Sequence, residues 1–223
     1  MNKHSTNLII LAFLTAVAVF VSGCNSIFKS NTPYYKLSPT MKEYCFFDTG
    51  SYWVYQNDST GISDTIKAGD IASYVAYHAQ NDISPSFSYD VVETLYDTNS
   101  FNFASSGIFA GPDGASGQGG LYRIFFTDST FVLAFAPGYK FGEEQLLGGM
   151  EGIYTNVDSI PNMSFNGMNF TSIYHTREKA VFAQGDTTNF DFYFAPKYGL
   201  IRWIRSYKGD TASFSLKAAN LIQ

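Results

Sequence analysis

Cysteine and histidine are scarce: two and three residues among 223. Cys24 and Cys45 can form at most one disulfide. A zinc site takes three or four imidazole, thiolate or carboxylate ligands. His78 and His175 lie far apart in sequence, and neither has a second His two or four positions away or a tight acid cluster beside it. No metal site is therefore expected. Charge is thin as well. Asp, Glu, Lys and Arg make up 15% of the chain, against the ~25% usual for soluble domains. The net charge of −5 comes with no cluster of Lys or Arg. That excludes nucleic acid as a partner, because nothing is available to neutralise a phosphate backbone. Nor is there an apolar run long enough to span a bilayer. The apolar run near the N-terminus, residues 8–22, would be ~22 Å long as a helix, against a hydrocarbon core of ~30 Å.

That stretch follows a short polar segment whose only Lys or Arg is Lys3, and it ends Val21-Ser22-Gly23-Cys24. A short n-region and an apolar h-region make a secretory signal rather than a membrane span. The ending resembles the lipobox of bacterial lipoproteins. The resemblance implies that the Cys24 sulfur receives a diacylglyceryl group and that cleavage falls between Gly23 and Cys24. The new amino terminus would then be acylated in turn. Small Ser22 and Gly23 let a peptidase approach the backbone, and the Cys24 thiol is the group that can be alkylated. Several acyl chains at ~0.8 kcal/mol per buried CH₂ would make a permanent anchor. Residue 25 is Asn rather than Asp, which in such lipoproteins implies the outer membrane, here facing the periplasm. Residues 1–23 are then the signal peptide and 24–40 a flexible tether rich in Ser, Asn, Thr and Pro. Residues 41–223 are a single β-rich domain. The processed chain has 13 bases and 19 acids, net −6. With Cys24 committed to lipid, Cys45 has no disulfide partner, and it reads as a small buried apolar side chain.

What the chain has in quantity is aromatic residues and glycine: 21 Phe, 16 Tyr, two Trp and 19 Gly. Period-two alternation runs through the domain. Phe87, Tyr89 and Val91 alternate with Ser86, Ser88 and Asp90; Phe190, Phe192 and Phe194 share one side; Ala212, Phe214 and Leu216 alternate with Ser213, Ser215 and Lys217. Each is the pattern of a half-buried strand. Asn166-Gly167 between apolar pairs is a strong hairpin signal. Further turns are expected at 57–61, 127–130 and 208–210. Short turns imply antiparallel neighbours. The fold expected is all-β: an antiparallel meander forming a barrel, half-barrel or sandwich, with one or two short helices. One helix is placed after Asp70, with Ile71, Tyr74, Val75 and His78 at helical spacing. A second, of one turn, is placed at 142–147. "GSYWVY" (50–55) and "YFAPKYGLIRW" (193–203) resemble segments of uncharacterised lipoproteins and of TapB-like periplasmic proteins. That resemblance implies a β-meander and no catalytic residue.

The chemical candidates are few. "GPDGASGQGG" (111–120) lacks the Lys of a phosphate loop and the acids of a calcium loop, and reads as a flexible loop. Glu143, Glu144 and Glu151 supply carboxylates, but glycoside hydrolysis needs two facing across a cleft. Asp followed by Ser or Thr and then Thr, Ile or Ala recurs, at Ser59, Thr65, Ser129, Ser159, Thr187 and Thr211. This resembles the acceptor motif of an O-glycosylation system acting on exported proteins, and Asp, Ser and Thr are equally the residues of turns. No catalytic residue and no cofactor are expected. The function expected is a membrane-anchored, non-enzymatic binder or carrier of an apolar or amphipathic ligand, held in a concave aromatic β surface like that of LolA/LolB-like half-barrels. The alternative is a structural or interaction subunit with an envelope protein as partner.

Overall fold

In the computed structural model, two meanders share one thirteen-stranded sheet. The structure describes residues 32–80, 85–97, 100–111, 119–147, 152–181 and 187–223. The first meander runs outward through β2 (Tyr52–Asn57), β3 (Ser63–His78), β4 (Phe87–Tyr96), β5 (Phe103–Gly111), β6 (Gly119–Phe126) and β7 (Phe131–Phe135). The chain then crosses to the opposite edge of the sheet. From there β8 (Glu144–Leu147), β9 (Gly152–Phe165), β10 (Met168–Val181), β11 (Thr187–Ala195), β12 (Gly199–Tyr207) and β13 (Asp210–Asn220) run back, and β13 pairs with β2. A two-residue β1 (Tyr34–Tyr35) lies parallel to β4. The meander expected from sequence is present, and the ladder does not close into a barrel: β7 and β8 are its two edges.

Hairpin chemistry sets the registers. Asn166 (φ 50°) with Gly167 (φ 77°) and Lys208 (φ 49°) with Gly209 (φ 91°) have the paired positive φ of a type I′ turn, whose twist matches that of the flanking strands. A bulge in β3 redirects the whole sheet. Ser63–Lys67 pair with β2, whereas Ile71–His78 pair with β4. The register shifts between Ala68 and Ile71, so the strand bends at Gly69-Asp70.

The bend brings the two meanders face to face. Phe190, Phe192 and Phe194 on β11 are 3% exposed or less, and the first and last meet rings of the other meander, Phe190 on Phe126 and Phe194 on Tyr122 and Phe135. Where backbone pairing is missing, buried side chains tie β7 and the chain after it to β9 and β10. Thr176 Oγ1 donates to Ala134 O at 2.6 Å. The Ala136 N–H donates to Tyr154 Oη at 2.9 Å, and Asn156 Nδ2 donates to Ala136 O at 2.9 Å and Tyr139 O at 2.7 Å. Such fully satisfied buried polar groups fix one arrangement of the edges.

Three local expectations are corrected. Residues 70–78 are strand, not helix: aromatic and β-branched side chains suit a pleated surface, and their residue-by-residue pairing with β4 outweighs four apolar positions at helical spacing. Glu144–Leu147 is an edge strand on β9 rather than a helical turn. The one helix among the described residues, α1 (Pro39–Cys45), lies earlier. Ser38 caps it, accepting from the Met41 N–H at 3.2 Å, and Pro39 stands in its first turn, where a missing N–H costs nothing. Met41, Tyr44 and Cys45 plug one end of the core. The compact unit spans Tyr34–Gln223 and takes in residues 34–40, which the sequence placed in the tether.

Candidate functional site

Three places can be weighed as sites: the space between the meanders, a polar network on the outer face, and a cleft beside the N-terminal segment.

The first is packed with side chains around a void of about 30 Å³, lined by Tyr44, Cys45, Tyr96, Ser106 and Tyr122 among others, room for on the order of one or two waters. Tyr96 Oη donates to Ser106 Oγ at 2.8 Å and lies 3.0 Å from Tyr122 Oη. Burial pushes the Cys45 thiol well above its ordinary pKa, so it is unreactive packing material, as its surroundings in sequence suggest. Phe165 and Phe170 pack at a tilt with ring centres 4.9 Å apart, and Phe214 stacks on Trp203 at 4.2 Å. Rings expected to line a carrier's concave surface thus pack on one another.

The outer network gathers residues that sequence had kept apart. His175 on β10 is 9% exposed. Its Nε2 lies 2.8 Å from Asp191 Oδ1 on β11 and its Nδ1 3.1 Å from Asp158 Oδ1 on β9. Arg177 Nε donates to the same Asp191 oxygen at 2.9 Å, and the Tyr193 ring stacks on the imidazole at 4.4 Å. Burial works against the Asp191 charge, but the bonds from His175 and Arg177 prevail and hold its pKa below the ordinary carboxylate range. Tyr193 is pushed up, first by burial and then by Asp191. Alternation alone could not show this cluster: it joins residues of three strands that align only once both hairpins are in register. Both imidazole nitrogens face carboxylates, Asp158 on one side and Asp191 on the other. Among the described residues no group of three or more His, Cys, Asp or Glu is arranged to hold a metal. The network ties strands together. His175 sits in mid-strand, and His78 stacks on Phe87 at 4.6 Å.

The third place is an open cleft of about 430 Å³ between α1 with its leading segment and the β3–β4 pair. Leu37, Phe46, Val75 and Val92 give it apolar walls, with Lys42, Tyr74 and Asp90 adding polar groups. Asp90 accepts from the Leu37 N–H at 3.1 Å and from Tyr34 Oη, so it fastens the N-terminal segment to β4.

The remaining candidates are scattered. Gly23, Cys24, Glu151 and residues 112–118 lie outside the described residues. Glu143 pairs with Lys140 at 3.4 Å, and Glu144 is exposed on β8. Ser59 and Ser129 are exposed in turns; Thr65, Ser159 and Thr211 are exposed on strands; Thr187 is half-buried. These hydroxyls form no common site.

No protein-family model matches the sequence, and comparison with curated proteins returns no relative. Two solved structures are similar in outline. One is a candidate lipoprotein from Parabacteroides distasonis, at 10% identity over 79% of this chain and 99% of its own, with a TM-score of 0.35. The other is a candidate exported protein with a YmcC-like fold from Bacteroides fragilis, at 7% identity over 79% of this chain and 100% of its own, also with a TM-score of 0.35. At that level of similarity no property is carried from either to this chain.

Proposed function

We propose that this chain is an envelope lipoprotein, anchored through Cys24, that acts through its folded surface as a structural or interaction subunit and performs no chemistry. The packed interior supports this reading: rings of the two meanders meet between them, and the void lined by Tyr44, Tyr96 and Tyr122 holds about 30 Å³, too little for a carrier's cargo. The anchor rests on the apolar stretch ending Val-Ser-Gly-Cys. The outer membrane, facing the periplasm, is the location that Asn25 favours. The acceptor-like hydroxyls, Ser59 among them, are exposed in five cases of six, as O-glycosylation would require.

A second reading has one observation in its favour. The open cleft beside α1 falls within the ~300–1,000 Å³ usual for ligand sites and is apolar with a few polar groups. An amphipathic ligand would lie there rather than in the core.

The test has two arms. In the native host, labelled palmitate should enter the protein and Cys24→Ala should abolish it; equal labelling of the variant overturns the anchor. Titration of the folded protein with a fluorescent fatty acid should give no saturable binding if it is a subunit. Saturable binding that Val75→Glu removes would instead favour the cleft reading.

A further inference from the structure

We infer that the free end of the β3–β4 pair, together with Tyr34, rests on the membrane surface and holds the domain in one orientation on an anionic bilayer. The inference depends on the Cys24 anchor proposed above.

Three observations converge on that end. The first is exposure. Tyr34, Tyr74, Val75 and Tyr77 are 48%, 47%, 59% and 63% exposed, an unusual concentration of large apolar side chains. Register places Tyr34 beside Ser88 on β4, and Ser88 opposite Tyr77, so both tyrosines lie in one row across three strands with Val75 two residues further along that face. Tyrosine, with an apolar ring and a polar tip, is the side chain favoured at a membrane interface. Among the described residues, no strand covers the β3 edge opposite β4 over Ile71–Tyr77.

The second is chain length. Tyr34 follows Cys24 by ten residues, which span at most ~33 Å fully extended. The anchor therefore keeps this end of the domain close to the bilayer. The turn that begins β3, at Asp58–Gly61, is set apart from Tyr77 by nearly the whole strand, roughly 45 Å less the bend.

The third is charge. Residues 25–42 contain Lys29, Lys36 and Lys42 and no acid, whereas the rest of the processed chain has ten bases and 19 acids. Lys36 lies over the Tyr34 ring at 5.9 Å, and Lys42 lines the cleft beside Val75. Basic residues next to a lipid anchor are drawn to anionic headgroups, while the acidic remainder is repelled. The partner these features fit is a lipid surface carrying anionic headgroups.

The experiment uses the lipidated protein reconstituted in vesicles of phosphatidylethanolamine with a minor share of phosphatidylglycerol and a headgroup-labelled nitroxide lipid. A fluorophore is placed at Tyr77→Cys, Val75→Cys or, as the distant control, Ser59→Cys. Cys45 is buried and Cys24 is blocked by its lipid, so labelling is selective. Folding of each variant is checked by circular dichroism. Quenching should be several-fold stronger at residues 75 and 77 than at 59. Lys36→Glu with Lys42→Glu should reduce it in vesicles with phosphatidylglycerol and leave it unchanged without. Equal quenching at all three positions, in protein that palmitate labelling shows to be anchored, overturns the inference. Absence of palmitate label fails the anchor itself and is read separately.

Discussion

Glu178 is the most consequential single residue of the interior. It is 1% exposed on β10, and its Oε2 has no hydrogen-bond partner. Burial pushes its pKa up from 4.5 to about 8, against the opposing pull of the Leu133 N–H and of Arg123. The folded carboxyl thus keeps its proton where the unfolded one has lost it. Between pH 4.5 and 8 the native state binds the extra proton, so this group's stabilisation is complete below that window and fades as pH rises through it. Denaturant midpoints should fall across this range, and Glu178→Gln should flatten the decline. Asp191, with its lowered pKa, acts in the opposite sense and loses its stabilisation as pH falls into the acid range. Trp53 belongs to the same scale. It is 7% exposed, donates from Nε1 to Tyr198 O at 2.8 Å and packs edge-on against Phe47. Trp53→Ala should cost about 3–5 kcal/mol, measured by urea unfolding, and its fluorescence should shift to the red only when the protein unfolds.

At the scale of elements, β3 is two half-strands with different neighbours. Ser63–Lys67 pair with β2, whereas Ile71–Tyr77 have only β4 beside them. Hydrogen exchange should find no more than alternate amides protected over Ile71–Tyr77, and near-continuous protection along Tyr174–Val181 of β10, which pairs on both sides. Uniform protection of the two stretches would contradict this pairing. The same strand shows where sequence was legible. Hairpin turns with Asn-Gly or Lys-Gly, and strands such as β11 with strict alternation, could be read directly because their signal is local. The β3 arm reads as a helix because Ile71, Tyr74, Val75 and His78 satisfy helical spacing by coincidence, and only pairing with Phe87–Thr94 decides against it. Likewise, the cluster around His175 depends on two registers at once, which no local pattern encodes. The filled core was half legible: the aromatic count announced a large apolar interior but not whether rings from the far meander would occupy it.

At the scale of the whole molecule, the two meanders are joined by hydrogen bonds along one seam within the ladder, β13 on β2, where Phe214–Asn220 pair with Tyr52–Asn57. Across the fold they are held by core packing and by the ties between β7 and β10. A chain ending at Lys208 should therefore lack cooperative unfolding and bind hydrophobic dyes, whereas trimming Ile222 and Gln223 should cost far less. Thermal denaturation followed by near-ultraviolet circular dichroism distinguishes these outcomes.

The seam also imposes a timetable. β2 is among the first strands to be synthesised and β13 is the last, so one edge of β2 stays bare while everything between them is made. Until β13 arrives, that edge, Trp53 and Tyr55 included, is open to any passing strand. Completion of the fold waits for the final eleven-residue strand. Pairing of β2 with β13 therefore follows the making of every strand between them, and a chaperone that shields β2 until then would act on the step at which this fold is most exposed to aggregation.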